Sequence, residues 1–212
     1  MKSIVLALVM AAGISTQASL LTLTAGNKSI QGVTLNQTAQ ASVQGADPMT
    51  LVGAGLRTKT VVILPVNVYV AELFASAPAK YTRDTNALPS LQQSTTTAVR
   101  LTFLRGVDAA TVASSYKDAL TANNVNLNDP AINSFLNTVS KGGNAAQGKS
   151  FIMLMVKNAS GGTDLYYEDT NGQDSQISGP AAFQQEILSI WLGNPADSGL
   201  KTLKSSLLQP VY

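Results

Sequence analysis

Neither cysteine nor histidine occurs among the 212 residues, and the two absences remove whole classes of chemistry. Without cysteine there is no disulfide, no thiol nucleophile and no thiolate metal site, so an exported chain must hold together by core packing alone. Without histidine there is no Ser-His-Asp relay, none of the usual zinc ligands, and no side chain that titrates near neutrality unaided. Any acid or base has to be a perturbed Tyr, Lys, Asp or Glu. Charge is scarce as well: Asp, Glu, Lys and Arg make up 12% of the chain, with 14 basic and 12 acidic residues and a formal charge of +2. That balance carries no electrostatic footprint for nucleic acid, and no cofactor motif is found. What is abundant is apolar: hydrophobic residues reach 45%, which excludes disorder throughout, and the length suits a single domain with a normal core.

The opening MKSIVLALVMAAGISTQAS has a lysine, an apolar run from Ile4 to Ile14, and small or polar residues up to Ala18. It reads as a signal peptide over residues 1–18, since the run is too short for a permanent membrane span. A basic start and a short leader suggest a bacterial periplasm as the destination of a soluble mature protein. Residues 19–47, rich in Thr, Gln, Asn, Ala and Gly, read as a polar lead-in with one short strand at Ser29 to Leu35. The domain proper is expected over residues 48–212.

Within it, Met49 to Leu56 and Thr58 to Phe74 are β-rich, with Gly53 and Gly55 permitting a bulge or bend between them. Val62, Leu64, Val66, Val68 and Val70 share one parity, and Pro65 marks an edge, bulge or break. Residues 76–96 read as a connection. Val99, Leu101 and Phe103 alternate with polar neighbours as a strand. Asp108 is placed to cap a helix with Val112, Tyr116, Ala119 and Leu120 on one side, and Asp129 to cap a second over Pro130 to Lys141. Phe151 to Val156 is apolar throughout, as in a strand covered on both faces, and Thr163 to Glu168 is expected to return beside it as a hairpin. Two helices finish the chain, the second opened by Asp197 or Ser198. The class is therefore α+β, a mostly antiparallel sheet covered by helices on one face.

Three ordered segments, VGAGLRTKTVVILPVNVYVAELF, VRLTFLRGVDAATVASSYKDAL and FQQEILSIWLGNPADSGLKTLKSSLL, resemble the chalcone isomerase-like family in its bacterial exported branch. The resemblance spans roughly residues 33–208 and implies an open-faced β-sandwich with a ligand cleft between sheet and helices. It also implies a choice of functions, because members include plant enzymes that cyclise chalcones, plant proteins that bind fatty acids, and bacterial relatives without established chemistry. The arginine that follows the GAG turn in the enzymes corresponds to Arg57. The enzymes' strand threonine falls at about Leu64, their helical tyrosine, lysine and asparagine at Val112, Ser115 and Ala119, and their later threonine near Ile190. Apart from the arginine, that polar set is missing.

Arg57 thus becomes the focus. Either it begins a strand at the surface with Glu72 or another carboxylate as partner, or the glycines let it turn into the cleft as an uncompensated charge that favours an incoming anion. A charge-assisted hydrogen bond contributes about 1.5–3 kcal/mol and each buried methylene about 0.8 kcal/mol, so a tail would supply most of the affinity and Arg57 the orientation. The expected ligand is a small amphipathic carboxylate such as a fatty acid, in a cleft formed by Arg57, Tyr69, Leu64, Val112, Tyr116 and Ile190. The alternatives are an isomerase of unknown substrate and a module whose cleft receives a protein segment. Met153, Met155 and Trp191 read as core, and the acidic residues Asp164, Glu168, Asp169 and Asp174 as a solvated hairpin tip rather than a calcium site.

Overall fold

A computed structural model describes residues 19–61 and 63–212. The expected leader at 1–18 and the parity assigned to Val62 lie outside the described residues. Eight strands form one antiparallel sheet in sequential order: β1 (Leu21–Ile30), β2 (Val33–Ala41), β3 (Met49–Val61), β4 (Leu64–Ala75), β5 (Thr96–Phe103), β6 (Ser150–Lys157), β7 (Thr163–Glu168) and β8 (Asp174–Gly179). A short helix, α1 (Ala87–Ser90), precedes β5. The pair α2 (Ala109–Ala122) and α3 (Pro130–Lys141) is inserted between β5 and β6, and α4 (Phe183–Leu192) and α5 (Ser198–Leu207) close the chain. The expected α+β architecture is therefore the observed one.

Local chemistry explains most boundaries. Asp108, Asp129 and Asp197 each sit one residue before a helix and accept hydrogen bonds from its first backbone N–H groups, where the helix dipole also favours a carboxylate. β6 is central, with every residue from Phe151 to Val156 buried, because both faces of the sheet are covered. On one face the helices enclose a core of Tyr69, Leu73, Leu101, Phe103, Phe151, Met153, Tyr167 and the inward residues of α2 to α5. On the other, Val70, Phe74, Ala98, Ile152 and Leu154 pack with Leu20, Leu21 and Leu35. The sheet is curled enough that the backbone N–H of Leu20, just before β1, donates to Glu168 at the end of β7 at 2.5 Å.

The lead-in expectation is corrected here. Residues 21–41 form a two-stranded hairpin, and the chain reverses at Gln31 and Gly32, both at positive φ, in the middle of the segment expected to be one strand. β1 and β2 carry many exposed positions, so their apolar alternation is weak and their polar composition resembles a linker. β8 was likewise not foreseen, since in DSQISG only Ile177 is buried; an edge strand with one covered face looks like a loop in sequence. The bulge allowed for at the glycines is present, since the register shifts between Leu51 and Gly53 and again after Arg57, but no bend separates two strands there: β3 runs through both glycines and the chain turns back only between Val61 and Leu64, inside the run expected to be one strand. A Cβ on Gly53 would stand 2.3 Å from the Leu207 carbonyl oxygen, and one on Gly55 2.7 Å from Ser206 Cβ. The glycines let α5 lie directly on β3.

Candidate functional site

Where α5 lies against β3, Arg57 is held. Its Cα partner across the ladder is Tyr69 on β4, with a bulge directly after Arg57, and the side chain is only 6% exposed. Arg57 is thus buried, the second of the two alternatives the sequence left open, but it is not uncompensated. Its Nη2 donates to Asp197 Oδ2 at 2.6 Å, and its Nη1 donates to the Thr58 carbonyl. Asp197 meanwhile uses Oδ1 to accept from the Leu200 N–H at 2.8 Å, so one carboxylate caps α5 and neutralises the guanidinium. The expected partner Glu72 is elsewhere, on the opposite face of the sheet with Arg100. Gly199 makes the approach possible, because a Cβ there would come within 2.1 Å of Arg57 Nη1.

A cavity of about 290 Å³ opens beside this pair, between β3 to β5 below and α2, α4 and α5 above. Of the six cleft residues expected from sequence, Arg57, Tyr69, Val112, Tyr116 and Ile190 line it. Leu64 does not. It pairs with Val61 at the end of the β3–β4 hairpin and is 67% exposed, because the hairpin runs past the end of the sheet and carries Leu64 beyond the cavity. Val66, Val68, Phe103 and Leu200 complete the apolar wall, and Lys59, Arg105 and Asp108 stand at its rim. Asp197, Lys59 and Arg105 were missed by sequence reasoning. Asp197 was legible only as a helix cap, and nothing in the local pattern of Lys59 or Arg105 shows that two distant strand ends meet.

The electrostatics of the wall are one-sided. Burial raises the Tyr69 hydroxyl above its ordinary value, although the Arg57 charge and the hydrogen bond from Trp191 Nε1, at 3.1 Å, pull the other way. Burial, reinforced by Tyr69 and Tyr167 nearby, lifts Tyr116 well above its ordinary value, and its hydroxyl has no hydrogen-bond partner among the described residues. For Asp197 burial acts upward, but hydrogen bonds from Arg57 and Leu200 and the charges of Arg57 and Lys59 together hold it below the usual carboxylate range. At the rim, hydrogen bonds from the Thr111 hydroxyl and N–H lower Asp108. All four groups move away from neutrality, so none is poised as a general base near pH 7. Lys59 and Arg105 are exposed, and neither has a carboxylate within ion-pairing distance among the described residues, where the salt bridges are those of Arg57 and Arg100. No group of three acidic residues close enough to hold a metal ion occurs among the described residues either.

The chalcone isomerase-like family model matches residues 27–208. The chain belongs to the chalcone isomerase-like family. Among solved structures, a fatty-acid binding protein of Arabidopsis thaliana is similar in fold, with a TM-score of 0.54 and 16% identity over 80% of this chain and 91% of that one. No curated protein matches the chain. Of the five positions that the resemblance assigns to the enzymes' other polar residues, Val112, Ser115 and Ile190 line the cavity. The other two positions that the resemblance assigns to that set lie outside the lining, Ala119 fully buried in the core of α2 and Leu64 exposed on the hairpin.

Proposed function

We propose that the chain binds a small amphipathic anion, such as a fatty acid, in the cavity between sheet and helices, and does so without catalysis. The observation that carries this reading is the division of the wall. Its interior is largely apolar, with Val66, Val68, Phe103, Val112, Ile190 and Leu200, while Lys59 and Arg105, which have no ion pair among the described residues, gather at one rim with a single carboxylate, Asp108. Such a wall matches a molecule with a hydrocarbon end and an anionic end. The similarity in fold to a plant fatty-acid binding protein supports the same reading.

The structure changes where the head is expected to sit. Because Arg57 is already satisfied by Asp197 and Thr58, taking it over would require an anion to displace an internal carboxylate. Lys59 and Arg105 require no such exchange. We therefore place the head at the rim and the tail inward. Size narrows the tail: an apolar cavity of roughly 150 Å³ accommodates benzene, so about 290 Å³ holds on the order of a dozen non-hydrogen atoms. That corresponds to a medium-length chain, with anything longer left protruding from the mouth. The expected leader would carry such a binder to the periplasm.

Calorimetric titration with decanoate and with decanol tests the assignment, since the two share a tail and differ in charge. Decanoate is expected to bind saturably with one site per chain. The Lys59→Ala/Arg105→Ala variant is expected to lose about tenfold, or ~1.4 kcal/mol, for decanoate while leaving decanol unchanged. Equal losses for both ligands would remove the rim cations from the head site.

A further inference from the structure

The β3–β4 hairpin extends past its neighbours. On the β5 side, pairing stops where the Leu104 N–H donates to the Val68 carbonyl, whereas β3 and β4 continue together from there to Val61 and Leu64. On the other side, β2 meets β3 only near its far end, at Met49 and Thr50. The first four residues of β4, at roughly 3.3 Å each, give a two-stranded ribbon projecting about 13 Å with no strand on either edge among the described residues. At its end Ile63 is 82% and Leu64 67% exposed. An apolar tip of this kind is unusual for a surface hairpin, and no other described residue covers it.

Charge surrounds the tip in a particular way. Lys59 pairs with Val66 at the base of the ribbon, and Arg105 follows the end of β5 beside it, both on the rim of the same cavity. Neither is neutralised by a carboxylate within ion-pairing distance among the described residues. The mouth, the two cations and the apolar end therefore occupy one end of the molecule.

We infer that the β3–β4 tip docks on an anionic lipid surface, with Ile63 and Leu64 entering the headgroup boundary and Lys59 and Arg105 facing lipid phosphates, so that the cavity mouth opens toward the bilayer. Two side chains cannot supply the roughly 800 Å² per partner of a stable protein interface, but together with basic residues they suffice for reversible attachment to a charged membrane surface. Two cations against one carboxylate, Asp108, leave the rim net positive, which favours an anionic surface over a zwitterionic one. The exposure and charge pattern stand without reference to any ligand; the choice of a lipid surface rests on the amphiphile reading of the cavity, whose occupant would pass between leaflet and protein without crossing water.

The test is co-sedimentation of ligand-free protein with vesicles of phosphatidylcholine alone and with about one-third phosphatidylglycerol. The wild type is expected to bind the anionic vesicles, to release them as salt is raised from 0.1 to 0.5 M, and to bind the neutral ones far more weakly. Ile63→Asn/Leu64→Asn is expected to reduce partitioning at least tenfold, with unchanged thermal unfolding because both side chains are exposed. Decanoate binding measured without vesicles is expected to persist in that variant. Absence of vesicle binding by the wild type, or equal binding by the variant, overturns the docking proposal. So does a change from dimer to monomer in sedimentation velocity on introducing the two asparagines without any vesicle binding, which would make the tip a self-association surface. Vesicle binding that survives alongside a failure of decanoate to bind in solution would leave docking standing and overturn the cavity reading alone.

Discussion

The two faces of the sheet each bury an arginine ion pair, and they do so differently. On the face covered by β1 and β2, Glu72 is fully buried and its two oxygens take Arg100 Nη1 at 2.7 Å, the Asn36 N–H at 2.7 Å and Asn36 Nδ2 at 2.9 Å. On the helix face, Arg57 is the buried member and its partner Asp197 is 38% exposed at the start of α5. The first pair ties β2, β4 and β5 together inside a closed aliphatic core. The second borders a cavity and keeps its anion within reach of water. One is a structural clasp; the other shields a guanidinium without sealing the space beside it.

Removing each anchor should expose that difference. Glu72→Ala leaves Arg100 and the Asn36 amide without their acceptor in the interior, and a loss of about 3–5 kcal/mol in urea unfolding is expected, with decanoate affinity unchanged if the variant folds. Arg57→Ala leaves only a carboxylate that can hydrate, so after discounting for screening at Asp197 about 1–2 kcal/mol is expected. Similar costs for the two would erase the distinction between clasp and shield.

Alkali sharpens the comparison between these extremes. Tyr69, Tyr81, Tyr116 and Tyr167 all belong to the helix-side core, and burial raises each of them, Tyr81 to about 12. A phenol whose folded value is raised holds its proton after the unfolded chain has lost it. Its stabilisation is therefore present below pH 10 and disappears as pH rises from 10 through the folded value. Tyr81 alone accounts for a decline of roughly 1.4 kcal/mol per pH unit across that window. Stability followed by near-ultraviolet circular dichroism should fall steeply above pH 10, with the tyrosine and tryptophan signals of the helix face lost in the same transition. With no histidine in the chain, little change is expected between pH 6 and 8.

What sequence could and could not show divides along physical lines. α2, α3 and β6 were legible because each carries a self-contained signal: an aspartate cap, an apolar stripe, or a run buried on both faces. β1, β2 and β8 were not, because sparse burial leaves strands of polar composition that read as linkers. Five of the six expected cleft residues line one cavity, since β3, β4, α2 and α4 carry them in segments with clear periodicity. That a carboxylate could pair with Arg57 was foreseen, but which one was hidden. It depends on a contact spanning 140 residues, and Asp197 in sequence declares only that a helix begins. The glycines were legible only as a site for a bulge; that they also let α5 lie on β3 depends on a helix far along the chain.

The most direct test of the central claim is to fill the cavity and titrate. Val112→Trp places a large side chain where the tail is expected, on a helix whose caps and neighbours remain in place. Calorimetric titration of decanoate should give one saturable site in the wild type and at least a tenfold weaker one in the variant, with folding of both verified by thermal unfolding. Equal affinity in a folded Val112→Trp protein would place the ligand outside this cavity and contradict the account.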